Sequence, residues 1–151
     1  YSATYSTTRY NVLKFLVPTS VSPEYKTCPE DVPVVRGAEL LLTEAEALNE
    51  LRQTSQAETA LNLVRHRAGL PDIQTGLSQS AFRDAVLHER RMELAFEGQR
   101  WFDLVRINNG QYGLDFLHSI GKTNASSKYL LLPIPQVERD ANPNLSQNPG
   151  Y

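Results

Sequence analysis

The sequence predicts a mainly α-helical chain, and three observations lead there. In the middle of the chain apolar residues recur at helical spacing. Those runs are bounded by capping and stop residues, among them Ser78, Gly69, Pro71 and the Asn108-Asn109-Gly110 run. Both ends are rich in Ser, Thr, Asn and Pro and hold no sustained period, so neither offers a strong competing sheet. With 151 residues the chain is long enough to bury a core without disulfide staples.

The first helix is expected over about residues 36–52. Successive steps of about 100° put Glu39, Thr43, Glu46 and Glu50 in one narrow arc. Leu40, Leu41, Leu42, Ala45, Ala47, Leu48 and Leu51 take the rest, which predicts burial around most of the circumference. The second helix, about 56–68, opens with Ser55 and Glu58 at capping-box spacing. It carries Ala57, Ala60, Leu61, Val64 and Ala68 as one stripe and stops at Gly69 and Pro71. A link of a few residues makes these two helices an antiparallel hairpin. Ser78 caps a long third helix, about 79–107, with Gly98 in its interior, where a kink or a close backbone contact is expected. Before the helices, Tyr10 to Val17 reads as a weak strand. After them, Tyr129 to Ile134 reads as an extended apolar segment, and Pro133, Pro135, Pro143 and Pro149 exclude long helices or central strands.

This layout predicts a piece of something larger. Roughly 35 residues before the helices and 40 after them lack a strong element, whereas structureless stretches beyond about 15 are uncommon in compact domains. One helix hairpin cannot bury its outer face, and repeats built from hairpins need about three or more. Met92 is the only methionine and no signal peptide is present, so Tyr1 is not expected to be a translation start.

Composition and motif spacing remove whole classes of function. Fifteen Lys and Arg against seventeen Asp and Glu give a net charge of -2, which argues against a nucleic-acid binder. Cys28, the single cysteine, allows neither an internal disulfide framework nor a Cys-based zinc cluster, and with no nearby His it reads as an inert thiol. No apolar run approaches the roughly 20 residues that span a bilayer. His88-Glu89-Arg90-Arg91 is followed by Met92 where a metalloprotease helix needs its second histidine. None of His66, His88 and His118 has a glutamate three residues earlier, as a di-iron bundle requires, and Asp115 with His118 in a presumed loop is a bland pair. G-x-S-x-G, P-loop and G-x-G-x-x-G motifs are absent.

The residues with the most chemistry are Glu89, Glu93, Glu97, Arg100 and Asp103, which a continuous helix would place on one face with Phe82, Ala85, Val86, Phe96 and Leu104. Two of these carboxylates could serve as the acid and base of a glycosidase. The structural reading pairs them with Arg90 or Arg100, or with Arg65 and Arg67 on the second helix, in a buried ion network. That reading is favoured because no nucleophile or cleft signature accompanies the carboxylates. Tyr1, Tyr5, Tyr25, Tyr112 and Tyr151 fall in expected loops, where flat rings can stack on a sugar or a partner. Trp101 falls with Leu87, Leu94 and Val105 in a second apolar arc and is expected in the core.

Taken together, several segments resemble the SusD/RagB family over roughly Tyr10 to Tyr151. The first covers Val34-Val35-Arg36-Gly37-Ala38-Glu39-Leu40-Leu41-Leu42, Glu44 to Asn49, Ala60-Leu61-Asn62, Val64-Arg65 and Arg67 to Pro71. The second covers His88-Glu89-Arg90-Arg91, Glu93-Leu94, Phe96-Glu97-Gly98, Arg100 to Leu104 and Arg106. The third is the tail, Leu132 to Pro135, Glu138, Asn142 to Leu145 and Gln147 to Tyr151. Gly37 stands where family members usually carry a bulkier residue, which weakens the start of the first helix.

The resemblance implies a SusD-like α/α scaffold with a tetratricopeptide-like helix hairpin, a long third helix and irregular flanks, residues 1–151 forming the carboxyl-terminal region of a longer protein. It implies a surface-exposed lipoprotein of the cell outer membrane in Bacteroidetes-type bacteria. Such a protein captures polysaccharide or oligosaccharide for nutrient uptake and partners a SusC-like TonB-dependent transporter. No catalytic residue, metal or cofactor is implied, and no glycan-binding residue can be matched to a position here. The alternative is a scaffold portion that docks the transporter or the rest of its own chain and binds no sugar itself. In either case the helix and tail signature reads as packing, with Gly98 expected at a close approach.

Overall fold

The computed structural model describes residues 33–151 together with Val12, Lys14, Phe15, Val17, Ser20, Val21 and Asp31. Among these residues the chain is helical and contains no strand. Most of the expected strand Tyr10–Val17 lies outside them, as do Tyr1, Tyr5, Tyr25 and Cys28; Lys14 and Phe15 sit in a turn. The chain divides into two compact units, Tyr1–Glu97 and Gly98–Tyr151. No helix among the described residues is long and apolar enough to cross a membrane.

The first unit contains α1 (Gly37–Glu50), α2 (Thr54–Arg67) and α3 (Gln79–Glu93), with α1 packed on both others. Helix α1 ends with Arg52 in the left-handed region. There the Arg52 N–H donates to the Asn49 carbonyl at 2.9 Å and the Gln53 N–H to that of Leu48 at 2.8 Å. This is a Schellman stop, and it turns the chain into α2 within three residues. Helix α2 closes the same way on Gly69, with Gly69 donating to His66 at 3.0 Å and Leu70 to Arg65 at 2.9 Å. The expected capping box at Ser55 and Glu58 does not form: the helix starts at Thr54, so Ser55 is already inside it. Thr54 Oγ1 instead donates to Asn49 Oδ1 at 3.2 Å. Ser78 does cap α3, its hydroxyl accepting from the Ala81 N–H at 3.2 Å.

The core joins Leu42 and Ala45 of α1, Ala57, Ala60, Leu61 and Val64 of α2, and Phe82 and Val86 of α3 with Leu94. The burial expected around most of α1 is not found in this chain. Among the described residues α2 and α3 pack on it, and Leu40 and Leu51 are exposed. A polar lock built on the fully buried Asn49 ties the end of α1 to the start of α3. Asn49 Nδ2 donates to the Gln79 carbonyl at 2.9 Å, and Gln79 Nε2 donates back to the Asn49 carbonyl at 2.7 Å.

The long third helix is interrupted. Helix α3 stops at Glu93, turns occupy Leu94 to Gly98, and α4 (Arg100–Arg106) begins afresh. Phe96 and Gly98 both take left-handed backbone, with φ of 68° and 78°, which no helix interior accommodates. Gly98 is therefore required for its dihedral angle. The expected close contact is absent, since a Cβ there would meet nothing within 4 Å.

In the second unit α4 runs into a short 3-10 turn, Ile107–Gly110, whose Asn108, Asn109 and Gly110 are all left-handed. Helix α5 (Gln111–Ser119) follows, then a second 3-10 turn (Ser127–Leu130), an extended stretch to Pro135, and α6 (Gln136–Ala141). The loop expected around Tyr112, Asp115 and His118 is thus helix α5. Gly113 allows a close backbone approach: a Cβ there would lie 2.8 Å from the Leu104 carbonyl oxygen, so its absence lets α5 lie against α4.

Candidate functional site

Charge is concentrated where α3 ends. Arg36, in extended backbone just before α1, reaches both expected carboxylates. Its Nη1 donates to Glu93 Oε1 at 2.7 Å, its Nε to Glu97 Oε2 at 2.8 Å, and its Nη2 to Glu97 Oε1 at 2.8 Å. Arg67 at the end of α2 donates to the other oxygen of Glu93 at 2.5 Å, and Lys14 pairs with Glu97. The Glu93 and Glu97 side chains are only 8% and 5% exposed. A neighbouring pair joins Arg65 to Glu89 at 2.7 Å, while Arg65 Nε also holds the Pro71 carbonyl at 2.9 Å.

Three cations thus face two carboxylates, and the excess charge is used on backbone. Lys14 Nζ donates to the carbonyls of Glu93 at 2.7 Å and Ala95 at 3.1 Å, and Arg36 Nη2 also donates to the Glu93 carbonyl at 2.7 Å. The Glu93 carbonyl belongs to the negative end of the α3 dipole, where cations are favoured, and that of Ala95 to the turn just beyond it. The hydrogen bonds from Arg36, opposed by burial and aided by Lys14, hold the Glu97 carboxyl below its ordinary value, and the Arg36 guanidinium is pushed up by the same contacts. A general acid needs the opposite shift and a free oxygen. Glu93 and Glu97 offer their oxygens to cations already in place.

The pairing with Arg65 and Arg67 is the expected one; the parts of Arg36 and Lys14 were not legible. Arg100, expected in the same network, instead lies over the Phe116 ring at 4.9 Å, and its Nε and Nη1 make no hydrogen bond. Asp103 accepts from Arg106 at 3.0 Å, one turn along α4. Arg90 is buried and reaches Thr43 Oγ1 at 3.3 Å.

The remaining candidates are dispersed. His66 pairs with Asp72 at the surface, His118 Nε2 lies 2.8 Å from the Ala125 carbonyl, and Asp115 accepts from Gln111 at 2.7 Å, so Asp115 and His118 do not converge. Among the described residues no group of three His, Cys, Asp or Glu converges as metal ligands. Trp101, expected in the core, is 38% exposed, and Phe96, Phe102, Tyr129 and Tyr151 are exposed too. With the helix broken at Glu93, the register that would have carried Trp101 inward is lost. A groove of about 320 Å³ between α1 and α2 is lined by Glu44, Leu48, Gln56, Thr59, Ala60 and Leu63, without an aromatic ring on which a sugar could stack.

The tail is held by side chains acting as backbone. Gln147 accepts from the Ile134 N–H at 2.8 Å and donates to the Ile134 carbonyl at 3.0 Å. Asn148 Nδ2 donates to the Leu132 carbonyl at 2.6 Å, and the Tyr151 hydroxyl to that of Leu131 at 3.1 Å. The Lys128 ammonium lies over the Tyr151 ring at 4.7 Å and the Tyr129 ring at 5.4 Å.

Known proteins resemble this chain in sequence and in fold. The chain is 40% identical over 128 residues to SusD-like protein P2 of Formosa agariphila, covering 78% of this chain and 25% of that protein. It is 34% identical over 132 residues to the starch-binding protein SusD of Bacteroides thetaiotaomicron, covering 84% and 23%. In three dimensions it matches a SusD homolog from Bacteroides thetaiotaomicron with a TM-score of 0.64 at 35% identity, covering 78% and 26% of the two chains. A SusD superfamily protein from Bacteroides vulgatus matches with a TM-score of 0.68 at 26% identity, covering 82% and 29%. The chain spans about a quarter of the length of the curated relatives it matches. The SusD family profile matches residues 2–151, and the chain belongs to that family.

Proposed function

We propose that residues 1–151 are the carboxyl-terminal part of a non-catalytic glycan-binding protein, which captures polysaccharide or oligosaccharide at the cell surface and passes it to a SusC-like TonB-dependent transporter. The protein sits on the outer membrane as a lipoprotein. The observation that carries this reading is the family match along the whole chain, with a relative named for starch binding among the similar proteins. The ion network supports the non-catalytic part, because the carboxylates that could act as acid and base are occupied by Arg36, Arg65, Arg67 and Lys14.

A second reading assigns this part a scaffold role only, docking the transporter or the rest of its own chain. The groove between α1 and α2, which carries no aromatic ring, favours it locally. Calorimetric titration of a glycan panel into the full-length protein and into the 151-residue chain separates the two. Binding by the full-length protein with no release of reducing ends supports glycan capture, and binding by the short chain removes the scaffold reading. A full-length protein that binds no member of the panel, or that hydrolyses one, overturns the proposal.

A further inference from the structure

The turn that joins α4 to α5 carries the one Asn-Gly pair in the sequence, Asn109-Gly110. That pair has a chemistry of its own. The Gly110 amide nitrogen can attack the side-chain carbonyl carbon of Asn109, because glycine has no Cβ to shield it. A bond forms between that nitrogen and Cγ, and the bond from Cγ to Nδ2 breaks. Nδ2 departs as ammonia, with the proton that the Gly110 nitrogen gives up, and leaves a five-membered succinimide. Water then opens the ring on either side of its nitrogen, giving aspartate or isoaspartate without any oxidant or further reactant. Asn109 is exposed, so water reaches it.

The backbone decides whether the ring can close. Asn109 (φ 53°, ψ 36°) and Gly110 (φ 87°, ψ -6°) are the central residues of a type I′ turn, which the Gln111 N–H closes by donating to the Asn108 carbonyl. At that ψ the Gly110 nitrogen lies almost opposite Asn109 Cβ across the Cα–C bond, out of reach of the side chain. Ring closure needs the two on the same side, at a ψ near about -120°, which is the type II′ value. A flip of the peptide between Asn109 and Gly110 makes that exchange, and it carries Gly110 from positive to negative φ. Gly110 is not free to turn. It is buried, and the Leu130 methyls fill the space where its Cβ would lie.

We infer that Asn109 is a site of succinimide formation gated by Leu130, closed while the Ser127–Leu130 turn is docked on Gly110 and open when that turn lifts. The product makes the opening permanent. Isoaspartate carries the main chain through its side-chain carbons, one atom longer, inside a turn whose closing hydrogen bond spans Asn109 and Gly110. Among the described residues Leu104 is the one buried apolar side chain of the second unit, so local opening costs least there. None of this depends on whether the protein binds glycan.

The test incubates three samples at mildly alkaline pH: the native protein, the same protein unfolded in guanidinium chloride, and the native Leu130→Ala variant. Peptide mass spectrometry follows conversion at each asparagine, and enzymatic methylation of isoaspartate identifies the product. Asn109 should convert first in the unfolded protein, at least about tenfold more slowly in the native one, and at least about threefold faster in native Leu130→Ala than in the native parent. Native conversion at the unfolded rate overturns the inference. So does an unfolded protein in which Asn62 or Asn124 converts ahead of Asn109. An unchanged rate in a Leu130→Ala variant that still melts cooperatively overturns the part given to Leu130, and Leu130→Val replaces that variant if it fails to fold.

Discussion

The two units solve the problem of cohesion differently. The first buries apolar side chains from three helices and closes them at both ends: the Asn49 and Gln79 amides lock one end of α3, and the charges of Arg36, Arg67 and Lys14 gather at the other. The second has little to bury, and relies on close backbone approach at Gly113 and on amide side chains that satisfy an extended strand of backbone. Hydrophobic burial is the main favourable term in folding, so the first unit has its own source of stability. The second is pre-shaped by polar contacts whose net worth is about 1 kcal/mol each.

The largest expected effect is on the ion cluster. Glu93→Leu removes the charge-assisted bonds from Arg36 and Arg67, and Glu97→Leu those from Arg36 and Lys14; each should cost the first unit about 3 kcal/mol in urea unfolding, as losing two or more hydrogen bonds to a charged group does. A loss below about 1 kcal/mol would mean that the apolar core alone holds the unit. Next comes Gly113→Ala, whose Cβ would press on the Leu104 carbonyl oxygen. About 2 kcal/mol is expected, and it should appear in amide exchange of α4 and α5 while α1 to α3 are unchanged.

Gly98 separates strain from crowding. Its φ of 78° makes any side chain unfavourable by about 1–2 kcal/mol, yet the space around it is open. Gly98→Ala and Gly98→Leu should therefore lower the melting temperature equally; a much larger drop for Leu would restore the steric account. The smallest effect is that of mild acid. Because Glu97 holds its proton less tightly when folded than its ordinary value near 4.5, its stabilisation is complete above that value and is lost as pH falls through the lower, folded one. Glu97→Gln should flatten the stability profile below about pH 4.5; an unchanged profile would place the acid sensitivity elsewhere.

How much of this was legible follows from the range of each interaction. The helix hairpin, the Ser78 cap and the stop at Gly69 are set by neighbours in sequence, and periodicity and capping rules read them directly. The carboxylate network was legible from one side only. Three glutamates at helical spacing announce that cations must come, but Arg36 and Lys14 arrive from more than 55 residues away. The broken third helix was misread because its apolar spacing continues through Leu94 and Phe96, while the break is set by left-handed backbone at Phe96 and Gly98. Trp101 was misplaced for the same reason, since its expected burial assumed an unbroken helix. Helix α5 was missed because Asn, Gly and Tyr around it read as loop, although Tyr112, Phe116 and Ile120 lie at i, i+4 spacing.

Hydrogen exchange of the 151-residue chain, followed by mass spectrometry, tests the contrast between the units most directly. The account predicts slowest exchange at Leu42–Asn49 and Phe82–Arg90, opening only with global unfolding, and exchange at least a hundredfold faster across α4 and α5. Equal protection of the two units would contradict it, because the second unit would then hold a stability that its own contacts do not supply.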